Sequence, residues 1–339
     1  MATRTSPPPH EALARAAEVG IHRIPLPTPF AIGDVNVHVV EGDPLTLVDC
    51  GPNSATALGA LEAGLERLGH RLTDVGRVVV THQHADHVGL VAAIVERSGA
   101  EVACLDLLAP VVEDGESHSR RDDDDALVLM GRHGVESHVA EALHSVATIT
   151  RHWTSSAPVA VRVPDGGRLE IGGRDWTVHH RPGHSPSDTV LHHAGDRIAF
   201  TGDHLLARVS SNALVSRPLG EWDGRRPRPL VAYRESLRAT RELDLAIALG
   251  GHGDPVVDHR TLVDERLAQQ DERAARILQM LGPGPCSAHG LAVAMWGQVA
   301  VTQVYLTLSE ILGHLDLLLD AGAVVEDVAD DAVVLFRQA

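Results

Sequence analysis

The stretch Thr81–His82–Gln83–His84–Ala85–Asp86–His87 follows directly on the run Val78–Val79–Val80. A β-branched run of that kind predicts a buried strand. The histidines then sit in the turn that leaves the strand, where several side chains can face one point. Three imidazoles and one carboxylate within six residues form the donor set of a zinc-like divalent ion. The chain holds 22 histidines in 339 residues, so a chance His-x-His carries little weight. A His-x-His-x-Asp-His placed behind a strand is not explained by composition.

Working outward, four further segments join this one. Arg181–Pro182–Gly183–His184–Ser185–Pro186 and Gly250–Gly251–His252–Gly253–Asp254 each put a histidine among turn residues. Phe200–Thr201–Gly202–Asp203–His204 ends an apolar run on an aspartate, and Leu47–Val48–Asp49–Cys50–Gly51 does so earlier in the chain. Taken in order, the five segments resemble the motifs of the metallo-β-lactamase superfamily over about residues 20 to 265. The resemblance implies an α/β (α+β) fold, a four-layer αββα metallo-β-lactamase sandwich. It also implies a binuclear site, with His82, His84 and His184 on one metal, Asp86, His87 and His252 on the other, and Asp203 bridging them. Asp86 and Asp203 are thereby the expected catalytic carboxylates. Asp49, His204 and Asn212 are expected behind the ligands or in the pocket wall, with Asp188, Ser210 and Ser211 near them.

Two divalent ions, expected to be zinc with iron or manganese also compatible, would share a bridging hydroxide. A metal lowers the pKa of bound water from about 15.7 to about 7 and polarises a carbonyl oxygen. Departures from relatives narrow the class. Flavodiiron proteins carry Glu where His84 stands, and zinc β-lactamases typically lack the bridging aspartate. Glyoxalase-II-like hydrolases share all seven ligands, but their basic glutathione-binding residues have no clear counterpart. Lactonases often use an active-site tyrosine, and this chain offers only Tyr233 and Tyr305. The expectation is a binuclear hydrolase attacking the acyl carbonyl of a thioester, ester or lactone. Alternatives are a nuclease or phosphodiesterase of the same fold, a β-lactamase-like or glyoxalase-II-like hydrolase, and a non-catalytic metal-binding module.

Composition sets outer bounds. The formal net charge is −17, and lysine is absent. The charge disfavours a nucleic-acid partner. The missing lysine excludes Schiff-base and P-loop chemistry. Arg217, Arg225, Arg226 and Arg228 form a local basic cluster, suited to the phosphates of coenzyme A, of a carrier-protein arm or of RNA. Cys50, Cys104 and Cys286 are too few and too far apart for a disulfide framework. The first ten residues show no signal-peptide pattern, and no apolar run reaches the roughly 18 residues of a membrane span. A cytoplasmic monomer or homodimer acting on a small acyl substrate, CoA- or carrier-protein-linked, is expected.

Three regions follow from the patterning: an arm over 1–20, the catalytic domain over 21–265, and a C-terminal unit over 266–339. Within the second, residues 107–152 break the strand rhythm with the acidic run 122–125 followed by helical patterns, an insertion that is either a lid or a solvated decoration. Its histidines, His118, His133, His138, His144 and His152, are expected on the surface. In the C-terminal unit, helices over 271–281, 287–296 and 303–320 precede a hairpin over 323–337. That order resembles a winged helix, similar to the one carried by lactamase-β-like-2 hydrolases. No arginine occurs from Val299 to Phe336, which argues for packing or channel walling rather than DNA binding.

Overall fold

The computed structural model describes residues 8–282, 284–330 and 332–339, apart from the side chain of Thr150. Part of the expected arm, residues 1–7, lies outside the described residues; the rest contains helix α1 (Pro9–Glu18). Six strands form the first sheet in the order β1 (Ile21–Leu26), β2 (Val35–Val40), β3 (Leu45–Val48), β4 (Val75–Val80), β5 (Glu101–Leu105) and β6 (Val161–Val163). Strand β2 is antiparallel to both β1 and β3, and β3 to β6 run parallel. Every residue of β2 and β3 is buried, as Val-rich strands covered on both faces must be. Helices α2 (Ala55–Arg67), α3 (Ala85–Val88) and α4 (Val91–Ser98) belong to this half. Leu61, Leu65 and Ile94 pack into its core.

Five strands form the second sheet: β7 (Arg168–Ile171), β8 (Arg174–His180), β9 (Thr189–His193), β10 (Ile198–Gly202) and β11 (Ile247–Gly250). Alternation along these strands makes the layers. Leu191, Ile198, Phe200, Ile247 and Leu249 share one core with the first sheet. Val190, Ala199 and Ala248 point the other way, against α8 (Pro229–Arg241) and the start of α9 (His259–Met280). A period of two sends neighbouring side chains to opposite faces, so one sheet seals two cores. The four-layer αββα sandwich is therefore present.

Between β5 and β6 the insertion forms α5 (Ala109–Glu113), α6 (Gly115–Arg132) and α7 (Ser137–Thr150). The acidic run 122–125 lies inside α6, whereas the helical patterns were expected to follow it. Asp114 caps α6, accepting the Ser117 N–H at 3.3 Å. The C-terminal unit holds β12 (Cys286–Ser287), α10 (Ala288–Trp296), α11 (Gln298–Thr302), α12 (Val304–Asp320), β13 (Val324–Val328) and β14 (Val334–Gln338), its sheet ordered β12-β14-β13.

The expected boundary at 265/266 falls inside the unbroken helix α9. Val263 packs into the sandwich, while Ala274 and Ile277 join the core of the C-terminal unit. That core also takes in Met130, Val135 and Ala140 of the insertion. The insertion is thus anchored to the C-terminal unit. Among the described residues no helix is long and apolar enough to cross a membrane.

Candidate metal centre

Direction decides where the motifs meet. Strand β8 is antiparallel to β9 and β9 to β10, whereas β10 and β11 are parallel. The C-terminal ends of β8, β10 and β11 therefore lie at one edge of the second sheet. His184, Asp203 and His252 follow those three ends. His82, His84, Asp86 and His87 follow β4, and Asp49 follows its parallel neighbour β3. An antiparallel bridge between Val35 and His252 joins the edges of the two sheets. Asn36 fastens the junction, donating from Nδ2 to the carbonyls of Gly250 and Gly253, each at 3.0 Å.

The seven residues expected as ligands do converge. Three overlapping groups could each hold an ion: His82, His84 and His184; His82, His87 and Asp203; and Asp86, His87 and His252. His84 Nδ1 lies 3.1 Å from His82 Nε2 and 2.9 Å from His184 Nε2. Asp203 sits between the sets, 3.4 Å from His87 Nε2, 3.4 Å from His252 Nε2 and 3.6 Å from His184 Nε2. Asp86 Oδ2 is 3.2 Å from His252 Nε2. His87 Nε2, His252 Nε2 and Asp203 Oδ1 are buried without a hydrogen-bond partner. Buried polar atoms left unpaired are costly, and a cation between them removes that cost.

The far side of each ring explains its orientation. Asp49 accepts the Thr81 N–H at 2.8 Å, the Thr81 hydroxyl at 2.9 Å and His87 Nδ1–H at 2.7 Å. Thr81 Oγ1, having donated to Asp49, accepts from His82 Nδ1, 3.1 Å away. His184 Nδ1 donates to the Asn212 carbonyl at 2.9 Å, and His252 Nδ1 to the Asp34 carbonyl at 2.8 Å. In all four rings Nε2 is left facing the centre, as metal-binding imidazoles require. Gly251 has no alternative: a Cβ there would stand 2.4 Å from Asp203 Oδ1 and 2.6 Å from the His87 ring.

Burial and charge set the protonation. Burial holds His82 well below the ordinary imidazole range and takes His84 down to about 3, so both present lone pairs. Burial alone would discharge His252, but the carboxylates of Asp203 and Asp86 push it up to about 9. Burial likewise works against the charge on Asp203, yet His87 and His252 hold it well below the usual carboxylate range.

Other expected positions sort differently. Asp49 stands behind His87. Asn212 acts through its backbone carbonyl, while its side chain donates to the Leu306 carbonyl of α12 at 2.8 Å. His204 is a correction: it neither touches a ligand side chain nor lines the cavity. Its Nε2 meets Thr240 Oγ1 at 2.9 Å, and its ring stands edge-on to Tyr233 under β10. Asp188 accepts the backbone N–H and hydroxyl of Ser185 and so shapes the loop that carries His184. Ser211 donates to the Asp203 carbonyl, whereas Ser210 is exposed. Both tyrosines are absorbed elsewhere, Tyr233 donating to the His204 carbonyl and Tyr305 to the Val215 carbonyl.

A cavity of about 510 Å³ opens over the centre. Its walls include residues that carried no motif: Phe30 and Ile32, the insertion's His118, Asp122 and Arg151, and Leu306 of α12. The insertion therefore walls the site. Two of its histidines are not on the open surface, since His133 is buried and His118 faces this cavity. The basic cluster is largely neutralised. Arg226 pairs with the buried Asp316, Arg228 with Asp316 and Asp320, and Arg217 with Asp125.

Comparison with known proteins agrees with this geometry. The family model of the metallo-beta-lactamase superfamily matches residues 31–252. The probable metallo-hydrolase YqjP of Bacillus subtilis is 34% identical over 300 residues, covering 87% of this chain and 91% of that one. A hydroxyacylglutathione hydrolase of Cereibacter sphaeroides is 27% identical over 168 residues, and the match spans about half of each chain, 50% and 48%. Among solved structures, a beta-lactamase domain protein from Burkholderia ambifaria superposes with a TM-score of 0.80 at 28% identity, covering 94% and 92% of the two chains. A metallo-beta-lactamase family protein from Thermus thermophilus gives a TM-score of 0.77 at 26% identity, covering 94% and 99%. With its ordered motifs, its sandwich and its converged histidines and aspartates, the chain belongs to the metallo-beta-lactamase superfamily.

Proposed function

We propose that this metallo-hydrolase is a binuclear enzyme that cleaves acyl derivatives: thioesters, activated esters or lactones. The observation that carries the reading is Asp203, within 3.6 Å of imidazoles from both ligand sets. In this reading His82, His84 and His184 hold one divalent ion, Asp86, His87 and His252 hold the second, and Asp203 is shared. Zinc suits the donors best, with iron or manganese compatible. Such ions, when bound, acidify water and polarise a carbonyl oxygen. The chain's own residues do the rest. Asp86 lines the cavity beside His252 and is the group placed to orient a water and take its proton. Asp49 and Thr81 hold His87 and His82 in one tautomer. Phe30, Ile32 and Leu306 give the cavity apolar walls, which limit the water around an acyl group.

Phosphodiester chemistry is the weaker reading. Arg151 is the one arginine among the described residues lining the cavity, and it is bound to Asp123 at 2.7 Å. Asp122 and Asp123 on the same wall repel a polyanion. A nucleic-acid partner is disfavoured further by α12, the recognition helix in a winged-helix-like reading of the C-terminal unit. It is buried on most of its circumference and carries no arginine. The hydroxyacylglutathione hydrolases among the relatives lend support to an acyl substrate.

The test is metal analysis joined to a hydrolysis screen over thioesters, lactones, β-lactams and phosphodiesters. Two divalent ions per chain and faster turnover of thioesters or activated esters are expected. Asp203→Ala should lose the second ion and nearly all activity. Turnover confined to phosphodiesters, or one ion at saturating metal, overturns the reading.

A further inference from the structure

A second cavity of about 130 Å³ adjoins the first. Ser216 lines both, and the two draw on successive turns of α6, with Asp122 in the first and Asp125 and Leu129 in the second. Its walls bring together Arg132, Arg217, Arg226 and Trp222. In a chain of net charge −17, three guanidiniums around one hollow are a local exception.

Their states differ. Arg226 is held by Asp316, and Arg217 pairs with Asp125 while its guanidinium lies 4.8 Å from the centre of the Trp222 ring. The guanidinium of Arg132, exposed at the end of α6, has no ion pair or hydrogen bond among those of the described residues. Trp222 is half-buried, and its Nε1–H is already satisfied by the Arg225 carbonyl at 2.7 Å. With Arg217 over one face of the indole, what Trp222 still offers is the opposite π-face, and what Arg132 still offers is a planar charged fork. A π-face beside a free guanidinium recognises a stacked base that carries phosphate. The loop bearing Trp222 is fixed by the Arg226 and Arg228 contacts to α12, so this arrangement exists before any ligand arrives.

We propose that this cavity is a subsite for a purine nucleotide phosphate carried by the leaving group of the substrate, as in a coenzyme A thioester, with the base against Trp222 and a phosphate on Arg132. The assignment rests on the acyl-hydrolase reading above. It differs from the expectation drawn from the sequence. Of the arginines in the 217–228 cluster, two serve as framework, and the free charge comes from Arg132, nearly a hundred residues away along the chain.

The experiment uses the full-length, metal-loaded protein. Coenzyme A and 3′,5′-ADP are titrated calorimetrically, and hydrolysis of acetyl-CoA is compared with that of S-acetyl-pantetheine, which lacks the nucleotide. Arg132→Glu should raise KM for acetyl-CoA about tenfold or more, the scale of one charge-assisted contact. It should weaken 3′,5′-ADP binding in step, leaving kcat and both constants for S-acetyl-pantetheine unchanged. Trp222→Leu should weaken the same two ligands, with an unchanged melting temperature showing that the fold is intact. Equal responses of the two thioesters, or no binding of 3′,5′-ADP to the wild type, overturn the proposal. Binding of 3′,5′-ADP that does not compete with acetyl-CoA hydrolysis assigns the cavity to a free nucleotide and overturns the leaving-group role. If no thioester, activated ester or lactone is hydrolysed at all, the acyl-hydrolase reading fails by itself, and calorimetry on wild type and Arg132→Glu still decides the subsite.

Discussion

Asp49 shows how much one side chain behind the ligands can do. One carboxylate accepts three hydrogen bonds, two from Thr81 and one from His87. Asn in its place keeps the size but turns a donor toward one of those donors. Asp49→Asn should therefore weaken metal affinity about 10- to 100-fold, measured by competition with a chromogenic chelator, with the fold unchanged by circular dichroism. A second residue-scale effect concerns acid. Burial takes both His38 and His133 down to about 3, whereas in the unfolded chain an imidazole titrates near 6.5. Between those values the unfolded state binds more protons, so stability rises with pH. Their contribution is complete above about pH 6.5 and is lost progressively as pH falls toward 3. The urea midpoint should fall between pH 7 and pH 4.5, and His133→Leu should flatten the slope. A slope unaltered in that variant would remove His133 from the account. The histidines and aspartates that converge at the centre were legible because side chains announce themselves in sequence. The carbonyls of Asp34 and Asn212, which set two of the rings, were not, since every residue type has one.

At the scale of elements, the loop 216–228 is the instructive case. Its arginines read as an anion site because sequence shows neighbours and hides partners. Asp316 lies about ninety positions away on α12, buried, with Arg226 and Arg228 upon it. Arg226→Ala should leave that carboxylate under-compensated and cost about 3–5 kcal/mol, the usual effect of breaking a buried pair. Chemical denaturation measures it; a loss under 1 kcal/mol would mean that Arg228 alone suffices. Strands and helices were legible from their periods, Leu61 and Leu65 of α2 being buried as the spacing implied. The extent of α9 was not. Its first turns carry few apolar positions, because one face meets the sandwich at Val263 while much of the rest is exposed.

For the whole molecule, the division into regions is the reading that changes most. Met130, Val135 and Ala140 of the insertion share a core with Leu308, Ile311 and Phe336 of the C-terminal unit, and α9 runs from the sandwich into that core. Cutting after residue 265 would expose that core, so the truncated chain should be insoluble or rapidly digested by trypsin under conditions that leave the intact chain whole. A soluble, protease-resistant product would show that the sandwich stands alone. Contacts between segments so far apart are set by tertiary packing, and no local pattern encodes them.

The proposed ligand positions run from His82 to His252 and are drawn from the edges of both sheets. The segment 82–87 carries four of the seven donors but no short piece holds them all, so the native state binds metal more tightly than the unfolded one. Metal is then a thermodynamic reporter of folding. By mass action, free ion at a hundred times its dissociation constant adds about 2.7 kcal/mol per site. Chelation should lower the melting temperature, and adding back each candidate ion should restore it by an amount that grows with the logarithm of its concentration. The ranking of zinc, iron and manganese by that shift would identify the preferred ion with no substrate in hand.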